Sequence, residues 1–120
     1  MKSPTGLTER AQYHLVYQEG GTWVDALLVM KALPNGLSLS RLGFSVTKKV
    51  GKAVQRNRLK RMMREITRSQ SIRPGWDIVF IVRPVAIAVD YHQLEKVVSM
   101  LLAQAQLLEG NVEAVNSGLN

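Results

Sequence analysis

The run WDIVFIV, residues 76 to 82, restricts the fold of this chain more than any other feature. A strand with one wet face alternates apolar and polar side chains, but this run offers apolar groups to both faces. It therefore belongs inside a sheet that is covered above and below. Pro74-Gly75 marks a turn before it and Arg83-Pro84 ends it. Like the other apolar block, ALLVM, it is strand-sized and too short to span a membrane.

Covering layers are available on both sides. After Asp90 and Gln93, which resemble a capping box, Leu94, Val97, Val98, Leu101, Leu102, Ala105 and Leu108 recur at helical spacing and predict a core-facing amphipathic helix. Upstream, TERAQYHLVYQ, residues 8 to 18, predicts a short helix with Thr8 as N-cap and Gly20-Gly21 as its end. Between them TWVDALLVMKAL, residues 22 to 33, predicts one strand, closed by the turn signature Pro34-Asn35-Gly36. LSRLGFSVTK, residues 39 to 48, alternates Leu42, Phe44 and Val46 with smaller or polar neighbours and predicts a second, joined to the first by a hairpin. Helix, strands, helix, strand, helix implies an α+β fold with a single mixed sheet.

A chain of 120 residues matches one compact domain, read here as residues 1–109, with a polar, aperiodic and flexible tail over 110–120. It has no cysteine, so disulfides and thiolate metal sites are excluded and a reducing cytoplasm is compatible. The N-terminal MKSPTGLTER lacks the apolar run of a signal peptide.

Charge points to function. The chain carries +7 overall, but residues 48 to 68, KKVGKAVQRNRLKRMMREITR, hold nine of its sixteen basic side chains and one of its nine acids, Glu65. That leaves seven basic against eight acidic side chains elsewhere, so the whole excess sits on about a sixth of the chain. On a helical wheel Leu59, Met62, Met63 and Ile66 fall within an arc of roughly 100° that would pack on the sheet. Lys52, Arg56, Lys60 and Arg64 repeat every four residues on one flank, Arg61 and Arg68 extend the patch, and Arg58 lies toward the far side. Like charges at this spacing repel by about a few tenths of a kcal/mol per pair, so a purely structural helix would gain from interspersed Glu. A polyanion's backbone is the partner that makes the pattern favourable. Arginine adds bidentate phosphate contacts, and Asn57 adds a neutral donor and acceptor.

No chemistry of the chain's own is visible. His14 and His92 are far apart and have no ligand spacing, Glu9, Asp77, Asp90 and Glu95 form no recognisable catalytic pair, and there is no Gly-rich nucleotide loop. By composition the chain is a binder, with no catalytic and no metal residues.

With these residues in view, the chain resembles the protein subunit of bacterial ribonuclease P. The resemblance is carried by RLGFSVTKKVGKAVQRNRLKRMMRE, residues 41 to 65, similar almost position by position to that family's strand, Lys-Lys-x-Gly loop and Arg-Asn-Arg helix. It continues through WDIVFIVRP and DYHQLEKVVSMLLAQAQLL, and more weakly through LTERAQYHLVYQEG, covering roughly residues 7 to 108. It implies the order α-β-β-β-α-β-α with a left-handed βαβ crossover, like the second domain of the fifth protein of the small ribosomal subunit; the general expectation for such crossovers is right-handed. It also implies that a large RNA with bound Mg²⁺ cuts the 5′ leader from precursor tRNA, while the protein binds that RNA and the leader and holds no cofactor alone. Lys48, Lys49, Lys52, Arg56, Asn57, Arg58, Lys60, Arg61, Arg64 and Arg68 would form the RNA-docking surface.

A second site implied by the resemblance is a cleft between the first helix and the sheet that takes the leader. Tyr13 and Tyr17 match aromatic positions there, and alternation along the next strand would aim Val29 and Lys31 into it, with Leu28 and Met30 toward the core. Lys31 stands where family members often carry an aromatic, and Asp25 where a polar or basic patch is common. The competing classes fit less well. A ribosomal protein acting as a stand-alone RNA-binding module, or a helix-turn-helix regulator, lacks the strand-loop-helix run from Arg41 to Glu65, and a free-standing nuclease needs metal carboxylates or a His pair.

Overall fold

The structure is a computed structural model that describes residues 3–110; the expected tail over 110–120 lies, apart from Gly110, outside the described residues. The chain runs β1 (Thr5–Gly6), α1 (Arg10–Glu19), β2 (Gly21–Val24), β3 (Leu28–Pro34), β4 (Arg41–Ser45), α2 (Ala53–Arg68), β5 (Trp76–Val82), a 3₁₀ turn (Pro84–Ala88) and α3 (Tyr91–Gln104). The order implied by the resemblance holds, with a two-residue strand added in front. One mixed sheet is ordered β1-β4-β5-β3-β2, so the run that demanded an interior position occupies the middle strand. β5 pairs parallel with β4 and antiparallel with β3, β1 joins β4 in parallel, and β2 closes the far edge antiparallel to β3.

Both faces of β5 are buried, as its composition requires. On one side Ile78, Phe80 and Val82 join Leu28 and Met30 of β3, Leu59, Met63 and Ile66 of α2, and Leu94, Val98, Leu101 and Leu102 of α3 in the main core. Phe44 of β4 stacks on Phe80, with ring centroids 6.2 Å apart and planes 16° from parallel. On the other side Val79 meets Leu7 and Val16, with Tyr13, Leu33 and Ile81 around them, so α1 is the second layer.

Four local expectations are corrected. The segment 22–33 is a hairpin of two strands rather than one: the Asp25 carboxylate accepts from the Leu27 N–H at 2.9 Å, and the Asp25 N–H donates to the Leu28 carbonyl at 2.8 Å. An aspartate is thus the turn-maker in a stretch without Gly or Pro. The predicted hairpin between β3 and β4 does not exist, because β5 lies between them. Glu9, not Thr8, caps α1: its N–H donates to Gln12 Oε1 at 3.2 Å, and Gln12 Nε2 returns a bond to its carboxylate at 2.7 Å. Finally, α3 stops at Gln104. Gln106 adopts φ +59°, the Leu107 N–H reaches the Leu102 carbonyl at 2.9 Å and the Gln106 N–H the Ala103 carbonyl at 3.0 Å, a Schellman ending. Leu108 is buried through a bridge to Ile72 instead of through the helix. The Asp90–Gln93 box is present, with Gln93 N–H to Asp90 Oδ1 at 2.9 Å and Asp90 N–H to Gln93 Oε1 at 3.1 Å.

Asp77 is the polar break in β5 and is 5% exposed. Arg41 of β4 grips it through Nε and Nη2, both at 2.7 Å, and Asn35 Nδ2 adds a third bond at 2.9 Å. These bonds hold β4 and the 35–39 turn against β5, and the carboxylate raises the Arg41 pKa through the same contact.

Candidate RNA interface

The helix that bears the charge is fixed at both ends and along one face. At its start the Lys52 N–H donates to Gln55 Oε1 at 2.8 Å and Arg56 Nη1 donates to the Gly51 carbonyl at 2.8 Å, so Arg56 braces the preceding loop. Leu59, Met63 and Ile66 are buried on the sheet, as the wheel requires, and Met62 is half-buried. Thr67 widens the buried stripe, its hydroxyl satisfied by the Met63 carbonyl at 2.8 Å. The loop before the helix is pinned by buried Val50, whose N–H donates to the Thr47 carbonyl at 3.0 Å, and this leaves Lys48 and Lys49 exposed.

The cations therefore stand on a rigid scaffold and face outward. Lys52, Asn57, Arg58, Arg61, Arg64 and Arg68 are exposed, and Lys60 and Arg56 are half-buried. Among the described residues the only ion pair is Arg41 with Asp77, so no cation of the 48–68 segment is neutralised by an acid. Nine cations against the single acid Glu65 give a strongly positive field that attracts a polyanion over roughly a Debye length of 8 Å at physiological salt.

Of the four residues predicted for the second cleft, Tyr13 and Tyr17 lie on α1 and Val29 and Lys31 on β3, against which α1 packs. Val29 and Lys31 are half-buried while Leu28 and Met30 are fully buried, so the predicted alternation holds. Lys31 and Gly43 of β4 are both register partners of Val79, one on each side. Tyr13 lies over Gly43, where an added Cβ would sit 2.5 Å from its hydroxyl oxygen. Tyr17 is 37% exposed, with its ring centroid 6.4 Å from that of Tyr13. Burial raises the Tyr13 pKa, neighbouring Tyr17 pushes the same way, and a bond from the Phe44 backbone opposes them. On the other side, Lys31 Nζ donates to Thr22 Oγ1 of β2 at 3.0 Å. Sequence reasoning missed Thr22, and only the strand register, Thr22 opposite Lys31, could have found it.

It also missed a cleft of about 540 Å³ at the β4 edge, where β1 ends. Tyr13, Gly43 and Phe44 line one part, and Lys60, Arg64 and Arg68 of α2 line another. The edge thus joins residues that had been assigned to separate surfaces. Among the described residues no group of three or more His, Asp or Glu is placed to hold a metal ion, and His14 and His92 are both exposed. No helix among them is long and apolar enough to cross a membrane.

Known proteins share this architecture. The profile of the family described as Ribonuclease P matches residues 1–106. The ribonuclease P protein component of Dehalococcoides mccartyi is 50% identical over 117 residues, which cover 98% of each chain. Among solved structures, the Staphylococcus aureus RNase P protein superimposes with a TM-score of 0.78 at 28% identity, over 86% of this chain and 96% of that one. The Thermotoga maritima RNase P protein gives 0.73 at 35% identity, over 80% and 94%.

Proposed function

The chain belongs to the ribonuclease P protein component family, and from that premise we propose that it docks on the catalytic RNA of ribonuclease P through the 48–68 surface and helps that RNA remove the 5′ leader of precursor tRNA. The observation that carries this reading is the rigid helix whose cations have no acid partner among the described residues. Arg58, Arg61, Arg64 and Arg68 supply bidentate phosphate contacts, Lys48, Lys49, Lys52 and Lys60 supply point charges, and Asn57 supplies an amide able to meet a base edge or a 2′-OH. Arg56 contributes charge while its Nη1 braces the loop.

The leader lies against the α1 face of the sheet. Tyr17 and Tyr13 offer stacking surfaces that accept any base, Val29 an apolar wall, and Lys31, steadied by Thr22, an ammonium for a leader phosphate. Bond cleavage belongs to the RNA, whose Mg²⁺ supplies the electrophilic chemistry, and the protein contributes binding and orientation. The holoenzyme is then an endoribonuclease acting in the cytoplasm, with this chain as its non-catalytic subunit.

Titrating a bacterial ribonuclease P RNA with the protein at several salt concentrations tests the docking. A log–log slope corresponding to several phosphate contacts, falling by about 0.7–0.9 for each exposed Arg of α2 replaced by Ala, is the expected result. An affinity indifferent to salt and to these replacements would refute it.

A further inference from the structure

The loop that presents Lys48 and Lys49 is backed by a segment without a charged residue, the 3₁₀ turn Pro84–Ala88. Gly51 has no positive φ, so glycine is there to permit close approach and not a special backbone turn. A Cβ at Gly51 would stand 2.5 Å from Gln55 Oε1 and 2.7 Å from Ile87 Cδ1. The loop backbone therefore packs directly against both the first turn of α2 and the 3₁₀ turn. Both neighbours are themselves held. The Lys52 N–H donates to Gln55 Oε1 at 2.8 Å. Ile87 packs against the main core, next to the fully buried Ala86. The turn is tied to the sheet, with the Ala86 N–H donating to the Arg83 carbonyl at 2.9 Å and the Arg83 N–H to the Leu27 carbonyl at 2.9 Å.

We propose that Ile87 is a positioning residue for RNA docking: with Gln55 it forms the wall against which Gly51 rests, and so fixes where Lys48, Lys49 and Lys52 stand relative to the arginines of α2. The proposal rests on the RNA-docking reading and adds to it a residue that acts through the loop and not by touching RNA. Phosphates along a folded RNA have set spacings, so a lysine contributes fully only where its backbone is held in register with the other cations. Without the wall, the loop has to be ordered at the moment of binding, and that entropy is subtracted from affinity. The sheet thus reaches the docking surface by a second route, through the 3₁₀ turn, besides the buried face of α2.

The test is a double-mutant cycle on the affinity of the full-length protein for a bacterial ribonuclease P RNA, with urea unfolding used to choose conditions where every variant is folded. Ile87→Ala should weaken binding by about threefold to thirtyfold, as expected for energetically coupled residues. Ile87→Val removes only the carbon that meets Gly51, and should show a smaller loss in the same direction. In a protein that already carries Lys48→Ala, Lys49→Ala and Lys52→Ala, the Ile87→Ala loss should vanish. Beside Arg61→Ala, about two and a half turns along α2 from Lys52, it should persist undiminished. Unchanged affinity of Ile87→Ala would overturn the assignment. So would an equal loss in both backgrounds, because that is the mark of a general packing defect. The two readings fail separately: if the lysine and Arg61 replacements weaken binding while Ile87→Ala does not, only the positioning role falls. If none of them weakens it, the docking surface itself is wrong and the positioning role falls with it.

Discussion

Leu59 and Arg61 sit two residues apart on α2, and replacing each by Ala should produce opposite phenotypes. Leu59 is 1% exposed and packs among Met63, Phe80 and the α3 leucines, so truncation removes three buried carbons and leaves a cavity. Core Leu→Ala changes cost about 2–5 kcal/mol, and contact with two secondary-structure layers limits how far this site can collapse. Arg61 is exposed and makes no ion pair among the described residues, so Arg61→Ala should alter stability by no more than about 0.5 kcal/mol. Its cost appears in binding. One charge-assisted contact to phosphate is worth about 1.5–3 kcal/mol, or roughly tenfold to a hundredfold in affinity for the catalytic RNA. The assay pairs urea unfolding with RNA titration under conditions where every variant is folded. Leu59→Ala should lower the unfolding midpoint and retain affinity; Arg61→Ala should do the reverse. A destabilised Arg61→Ala with normal affinity when folded would refute the assignment of the two faces.

Asp77→Ala should destabilise by about 3–5 kcal/mol in urea unfolding, because it strands the Arg41 guanidinium that now makes two bonds of 2.7 Å. The paired replacement Arg41→Met with Asp77→Leu should recover most of that loss, and a near-neutral single change would contradict the account. Gln106→Gly should stabilise by about 0.5–1 kcal/mol, since φ +59° suits glycine, and a loss of stability would show that the Gln side chain has a role of its own. Tyr17→Ala should weaken holoenzyme binding of leader-bearing precursor by at most about tenfold to a hundredfold and spare mature tRNA, whereas Lys31→Ala should cause a smaller loss that salt screens away. Equal losses for both RNAs would move these residues out of the leader site.

What the chain announces in its sequence is what local pattern encodes. WDIVFIV is the middle strand, Asp90–Gln93 caps α3, and Leu59, Met63 and Ile66 face inward because period and burial are properties of a few neighbouring residues. Strand order is not such a property. Nothing in residues 28–45 states that β5, more than thirty residues downstream of β4, will be inserted between β3 and β4. The Asp25 turn escaped notice because aspartate can bond its own backbone in a run otherwise rich in strand formers. The ion pair of Arg41 with Asp77, and the contact of Tyr13 with Gly43, join residues tens of positions apart and become visible only once the sheet is assembled. The basic surface was legible because its charges are close together on one helix and the loop before it; the edge cleft was not, since four segments build it.

The central claim is that α2 docks on a catalytic RNA and that the RNA does the cutting. Its most direct test is cleavage of a precursor tRNA at low Mg²⁺ by a bacterial ribonuclease P RNA, with the wild-type protein, with a folded variant in which Arg58, Arg61 and Arg64 are all Ala, and with each protein alone. Cleavage at the mature 5′ end is expected with the wild-type protein, little with the triple variant, and none by either protein without RNA. Cleavage by the repurified protein alone, or full support of the reaction by the triple variant, would contradict it.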